Sequence, residues 1–193
     1  MNTGRFETFA DAILAIIMTV LIVKIPQPAE PTLFAIWDLR IMYVAYVISF
    51  LIIFNLWFHN HNLFQLVDNI DNLTIWLNGA LLFSVSLLPY FTIWLANNIN
   101  SVPAETMFGL IFIFSNIFTI LSIYAVFRSD PYNIKLQVYE NSIKWMFIPL
   151  FILFCGFILT YTVFVQGIFL ACFISIVFYT IFARKDRVKS DVL

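Results

Sequence analysis

The chain has 193 residues, of which 62% are hydrophobic and 11% are charged, and its net charge is -1. A soluble domain carries about 25% charged residues, because water must wet its surface. So few charges exclude an ordinary soluble globule, and the near-neutral balance excludes a surface built for nucleic acid or for an acidic substrate. The composition therefore predicts an integral membrane protein, and the 19% of aromatic residues suit lipid-facing and interfacial positions.

Apolar segments of membrane-spanning length recur along the first two thirds of the chain. A transmembrane helix needs about 20 apolar residues, and the segments 6–25, 35–60, 73–95 and 104–127 meet that requirement. Pro26 follows the first segment and ends it, since the residue before a proline avoids helical geometry. That segment lacks a small-residue cleavage site, so we expect a retained helix rather than a signal peptide.

The last apolar stretch, residues 145–183, is too long for one span. It divides best near residues 160–167 into two short spans joined by a tight turn. The polar segment 132–144 before it is expected to be partly helical at the membrane surface. Cys155 and Cys172 lie within apolar runs and are expected to be small hydrophobic residues rather than a disulfide or a metal pair. The sequence thus predicts an all-α membrane protein of one domain, residues 1–193, with six transmembrane helices.

The distribution of basic residues predicts the orientation. With six spans both termini share one side, and that side collects most of the lysines and arginines. They are Arg5, Arg128, Lys135, Lys144, Arg184, Lys185, Arg187 and Lys189, whereas the other side has only Lys24 and Arg40. We expect both termini in the cytoplasm and the protein in the plasma membrane.

The first span contains a charged residue, Asp11, and charges inside spans are costly and usually functional. At about 100° per residue, one apolar stripe of this helix contains Ala12, Ile16, Thr19, Val20 and Val23. Asp11 lies about 120° from the centre of that stripe. If the stripe faces a central axis, Asp11 turns back into its own subunit.

Asp11 needs a hydrogen-bonding partner, because buried polar groups in lipid must be satisfied. Asp11 and Asn78 both lie about 9 Å from the cytoplasmic end of their spans. The second span brings an indole and two imidazoles to the same side. The candidate partners of Asp11 are therefore Asn78, Trp57, His59 and His61.

Several short motifs match a known pattern. Arg5, Phe9 and Asp11 stand in an Arg-x-x-x-Phe-x-Asp spacing, followed by an apolar run with isoleucine and threonine. Further matches are Leu73-Thr74-Ile75-Trp76-Leu77-Asn78, Ser86-Leu87-Leu88-Pro89-Tyr90, and the group Trp57, His61, Leu63 and Phe64. These motifs resemble those of the lysosomal-type potassium channels that lack the usual selectivity filter, and of their prokaryotic relatives. Ala10 stands where the family has serine, and Asn60 separates the two histidines.

The resemblance implies a potassium channel whose pore is lined by the first helix of each subunit in a homotetramer. Ile16 would form a hydrophobic constriction, continued by Val20 and Val23, and Thr19 would supply a ring of hydroxyls. Because the chain has no carbonyl filter motif, we expect modest selectivity for potassium over sodium. Beyond the permeant potassium ions and the bilayer we expect no cofactor, no metal and no nucleic acid.

Other interpretations of the same residues remain open at this point. The stripe could be a packing or lipid face, and Thr19 could simply bond its own helix backbone. The two histidines are more readily interfacial hydrogen-bonding residues than metal ligands. No catalytic set is visible, which argues against an enzyme. The alternative functions are a small carrier and a membrane accessory or assembly protein.

Overall fold

The computed structural model describes residues 2–133, 136 and 147–190, with side chains described to residue 178 and at Thr180. In these residues regular structure is helical, apart from a single bridge between Asn2 and Asn69. The helices are α1 (Thr3–Val23), α2 (Leu33–Asp38), α3 (Arg40–Phe64), α4 (Asn72–Ser86), α5 (Leu88–Asn97), α6 (Val102–Ser129), α7 (Phe147–Thr162) and α8 (Gly167–Ser190). The predicted all-helical class is confirmed.

Four segments are long and apolar enough to cross a membrane. They are Thr3–Val23, Arg40–Phe64, Asn72–Asn97 and Val102–Ser129, and two shorter apolar helices, Phe147–Thr162 and Gly167–Phe178, follow. The chain is therefore a multi-pass membrane protein. The division of the last apolar stretch agrees with the sequence prediction, since one helix ends at Thr162 and the next begins at Gly167.

The third predicted span agrees with the segment Asn72–Asn97, but the predicted start of the second span is wrong. The second span begins at Arg40 rather than residue 35, because residues Leu33–Asp38 form the separate short helix α2 and Leu39 interrupts the helix between them. The Thr32 hydroxyl caps α2 by accepting from the Ala35 amide at 3.2 Å. The third span is divided into α4 and α5 around Leu87. Pro89 explains this break, since proline has no amide hydrogen and its ring crowds the preceding turn.

Helix α1 packs its buried face, which includes Phe6, Ala10, Leu14, Ile17 and Leu21, into the subunit. It contacts α3 and α4, while α7 and α8 form an antiparallel hairpin against α6. The core therefore surrounds one face of α1 and leaves its opposite face uncovered by the described part of the chain.

The end of the bundle at which α1 begins is held by backbone and capping hydrogen bonds. The Thr3 amide donates to the Asp68 carbonyl at 3.1 Å. The Asp71 carboxylate caps α4 by accepting from the Thr74 amide at 2.9 Å. Partial burial acts to raise the pKa of Asp71, but hydrogen bonds from Thr74 and Ser129 outweigh it and hold that pKa below its ordinary value. The carboxylate is thus kept charged at the N-terminus of α4.

Residues 134, 135 and 137–146 lie outside the described residues. They include most of the surface segment expected at 132–144, the start of the fifth span at residue 145, and two of the basic residues used to predict orientation, Lys135 and Lys144.

Candidate pore-lining face and its supporting network

The stripe predicted from the sequence lies on the outer surface of the subunit. Ile16 is 62% exposed and Val23 is 78% exposed, and Ala12 and Thr19 are exposed as well. Val20, at the edge of the stripe, is half-buried. Within the described residues, no other helix of the subunit therefore covers this face of α1.

The same face extends to the beginning of α1. Phe9 is exposed, with its ring centroid 6.3 Å from that of Phe6. Arg5 is also exposed, and its backbone amide donates to the Asn2 side chain at 3.4 Å, which caps the helix. The charged and aromatic motif residues at this end are thus available to a neighbouring molecule.

Thr19 bonds its own helix, as the simpler interpretation of this residue expected. Its hydroxyl donates to the Ile16 carbonyl at 2.8 Å. A hydroxyl has one hydrogen and two acceptor lone pairs. Because the hydrogen is directed to the helix backbone, the lone pairs of an exposed Thr19 remain available to a cation, and this backbone bond is compatible with a coordinating role.

Asp11 turns toward α3 of its own subunit. The indole Nε1–H of Trp57 donates to Asp11 Oδ1 at 2.9 Å, and both side chains are half-buried. A hydrogen bond to a charged acceptor is stronger than one between neutral groups. This contact opposes rotation of α1 about its axis.

Asn78, predicted as another partner of Asp11, makes a different contact. Its amide donates to the Thr74 carbonyl at 3.3 Å within α4. Of the candidate partners of Asp11, Trp57 makes the contact, while Asn78 bonds within its own helix, since an asparagine inside a helix can reach the carbonyl one turn back. Its Oδ1 is buried and has no hydrogen-bond partner within the described residues.

A second pair between α1 and α3 was not predicted. His61 Nδ1 lies 2.7 Å from Glu7 Oε1, and its Nε2 lies 2.8 Å from Gln65 Nε2. A carboxylate oxygen only accepts, so the imidazole donates its Nδ1 hydrogen to Glu7, and with the Gln65 amide in its present orientation the Gln65 nitrogen donates to Nε2. The imidazole also stacks on Trp57, with centroids 5.3 Å apart.

These two pairs form one network with a simple sequence pattern. Glu7 and Asp11 are four residues apart on α1, and Trp57 and His61 are four residues apart on α3. Side chains at this spacing lie on the same face of a helix. This doubled spacing was the signal in the sequence that could have identified Glu7. Below, Glu7, Asp11, Trp57 and His61 are called the α1–α3 network.

His59 lies away from this network. It is buried and lines a partly open cavity together with Asn116 of α6. Positions 57 and 59 differ by about 200° around a helix, so Trp57 and His59 face opposite sides of α3. The expectation that His59 would contribute to the surroundings of Asp11 is wrong for this reason.

Glu105 is a further polar residue that sequence reasoning missed. It is fully buried in α6, and its Oε2 accepts the Phe169 amide of α8 at 2.8 Å. The Thr160 hydroxyl accepts the neighbouring Ile168 amide at 2.9 Å. Side chains from two other helices thus cap α8. In the sequence Glu105 resembles an ordinary acidic residue in the first turn of its own helix, which conceals this long-range role.

A known protein structure has the same helical fold as this chain. The fold matches the crystal structure of a lysosomal potassium-selective channel TMEM175 homolog from Chamaesiphon minutus, with a TM-score of 0.73 and 23% identity. The match covers 93% of this chain and 96% of that one. The described helices therefore have the fold of a membrane channel.

Sequence comparison identifies the family. Residues 5–89 match the family described as endosomal/lysosomal potassium channel TMEM175. A potassium channel of Chryseobacterium sp. (strain P1-3) is 31% identical over 138 residues, which cover 71% of each chain. The endosomal/lysosomal proton channel TMEM175 of Gallus gallus is 30% identical over 152 residues, 72% of this chain and 29% of that protein. Matches to two further bacterial relatives cover about half of their length, 48% and 50%. The chain belongs to the TMEM175 family, whose members are ion channels and not enzymes.

Proposed function

We propose that the chain is a potassium channel whose pore is lined by α1 from four identical subunits. The observation that carries the proposal is the exposed face of α1, since a helix that begins the family-matched region leaves Ile16 and Thr19 uncovered by its own subunit. The relatives named as potassium channels support the choice of ion.

Each subunit would then cross the membrane six times as a single domain. Helices α4 and α5 together form the third span, and α7 and α8 form the fifth and sixth. With six spans both termini share one side, and the excess of lysine and arginine there favours the cytoplasm of a cell whose plasma membrane holds the channel. One subunit offers one copy of the α1 face, and cyclic symmetry around an axis closes an ion path economically.

The proposed mechanism uses a constriction and a hydroxyl ring. Four Ile16 side chains would narrow the path to an apolar ring that closes by dewetting, with Val20 and Val23 continuing the apolar wall. One turn outward, four Thr19 hydroxyls would replace part of the hydration shell of an ion. Neutral hydroxyls bind weakly, so the preference for potassium over sodium would be modest.

The α1–α3 network would set the rotation of the lining helix. It lies on the flank of α1 between the buried and exposed faces, and Asp11 is held by Trp57. We propose that Asp11 is a structural anchor rather than a charge that faces the ions, and that Arg5 and Phe9 lie at the cytoplasmic mouth.

The test is electrical recording from purified protein in planar bilayers. Unitary current steps with a reversal potential shifted toward that of potassium are expected. Ile16→Asn should raise conductance and reduce the preference for potassium, because a polar ring stays wet. Ile22→Asn is the matched control, since Ile22 is also exposed on α1 but lies about 240° from Ile16, and it should behave as wild type.

Three results would contradict the proposal. Saturable flux without unitary steps would indicate a carrier. Wild-type conductance and selectivity in Ile16→Asn would show that this residue does not form the narrowest point. A monomer or antiparallel dimer by native mass measurement would exclude the tetrameric pore.

A further inference from the structure

A partly open cavity lies between α3, α6 and the C-terminal hairpin, on the opposite side of α3 from Trp57. Its volume is about 30 Å³. Five of the ten residues that line it have polar side chains. The polar lining residues are Asn55, His59, Asn116, Thr119 and Ser175.

Three of these side chains already direct a hydrogen to the backbone. Asn116 Nδ2 donates to the Phe112 carbonyl at 2.8 Å, and the Thr119 hydroxyl donates to the Ser115 carbonyl at 2.8 Å. The Ser175 hydroxyl lies 3.4 Å from the Pro149 carbonyl of α7. Each of these groups retains oxygen lone pairs after that bond. The cavity therefore offers acceptor oxygens to an occupant that donates hydrogen bonds.

The volume of the cavity and the charge of its lining residues indicate which occupant it can hold. A water molecule needs about 10–15 Å³ of such a cavity and two to four polar partners, so the space holds about two. Within the described part of the chain, the ten residues that line the cavity include no carboxylate and no lysine or arginine. A dehydrated cation without a compensating charge would carry a large desolvation penalty in this setting. Water satisfies the acceptors without that penalty.

We propose that this cavity is a water-binding site within the subunit, in which one or two water molecules join His59 of α3 to Asn116 and Thr119 of α6 and to Ser175 of α8. The bound water links three helices inside the bilayer by donating to oxygen lone pairs that the backbone hydrogen bonds leave available. The site supports the face of α3 opposite the α1–α3 network. It does not depend on the proposed pore, since α1 contributes no lining residue.

The protein contains two histidines, so the signal of His59 can be distinguished from that of the other histidine. Full-length protein with ¹⁵N-labelled histidine is reconstituted in lipid bilayers, and solid-state NMR measures magnetisation transfer from water to each imidazole. His61→Gln assigns the two signals. Transfer from water to His59 is expected in the wild type, with His61, which is partly exposed, as the internal reference.

Variants locate the water. Thr119→Val and Ser175→Ala each remove one hydroxyl and should reduce transfer to His59 while leaving His61 unchanged. Ser86→Ala is the matched control, because that exposed serine also donates to its own helix, at 2.7 Å to Phe83, and it should change neither signal. The wild-type measurement and Ser175→Ala keep the test decisive if Thr119→Val does not fold.

Two outcomes would overturn the proposal. Transfer to His61 with none to His59 would show a dry cavity. A shift of the His59 resonance when potassium is replaced by a large organic cation would show that an ion, rather than water, occupies the site.

Discussion

Two helix pairs of this subunit are held together in different ways. Helices α1 and α3 are joined by polar side chains, through the Asp11–Trp57 and Glu7–His61 contacts. Helices α7 and α8 approach through their backbones: a Cβ on Gly156 would clash with Ala171 and lie 3.0 Å from the Gly167 carbonyl oxygen. Both solutions suit a bilayer, in which lipid is as apolar as leucine and helices associate through close packing and hydrogen bonds.

The difference follows from what each pair leaves exposed. Helix α1 has an open face with Ile16 and Thr19, so its rotation must be defined by directional contacts at its flank. The hairpin needs only to remain packed, because its glycine contact joins α7 to α8 and the capping of α8 by Glu105 fixes the hairpin to α6. We therefore expect changes in the hairpin to affect stability, and changes in the α1–α3 network to affect both stability and ion selectivity.

The largest loss of stability is expected at the hairpin. Gly156→Ala forces the two backbones apart, and overpacking of this kind costs about 1–3 kcal/mol. Gly79→Ala is the control, because no heavy atom lies within 4 Å of its added Cβ and alanine favours helix by about 1 kcal/mol. Thermal unfolding in detergent should show a lowered Tm for Gly156→Ala alone. Equal Tm values for both variants would show that the hairpin is not closely packed.

An effect close in size is expected from Trp57→Phe, which removes the indole donor and keeps an aromatic ring against His61. Loss of a hydrogen bond to a charged group costs about 1.5–3 kcal/mol, and half-burial favours the lower end. Trp76→Phe is the control, since Trp76 is 78% exposed. We expect size exclusion to show reduced assembly of Trp57→Phe, or single-channel recording to show altered ion selectivity. Trp76→Phe should behave as wild type in both measurements. Identical behaviour of the two variants would exclude the anchoring role of Asp11.

The smallest effect is expected at the cap of α4. Asp71→Ala should cost about 1 kcal/mol and Asp71→Asn much less, because asparagine caps helices as well as aspartate does. The pKa of Asp71 is lowered in the folded state, so its stabilisation is present above the ordinary aspartate pKa and is lost as the pH falls through the lowered value. Unfolding measured against pH should show that loss in the wild type and not in Asp71→Asn. The same acid dependence in both would assign it to another carboxyl group.

The sequence was sufficient where a local pattern determined the structure. The exposed face of α1 and the inward orientation of Asp11 follow from a period of about 100° per residue. The position of the turn between α7 and α8 was also predicted correctly. The division of α4 from α5 was also available from Pro89. Contacts between distant segments were not predictable in this way. Asn78 was a candidate partner of Asp11 only because both residues lie at the same depth in the membrane. Equal depth does not show whether an asparagine bonds to a neighbouring helix or to a carbonyl of its own helix. Glu105 meets Phe169 across 64 positions of sequence, which no local pattern encodes.

The central claim is that the exposed face of α1 lines the ion path. Silver ions, which are close to potassium in size and react with thiolates, test it directly in a background in which Cys155 and Cys172 are replaced by alanine. Current through Ile16→Cys and Thr19→Cys channels is predicted to be blocked irreversibly, while Ile17→Cys, on the buried face, continues to conduct. Block of Ile17→Cys with unaffected current through Ile16→Cys and Thr19→Cys would contradict the account, because it would place the buried face of α1 toward the ions.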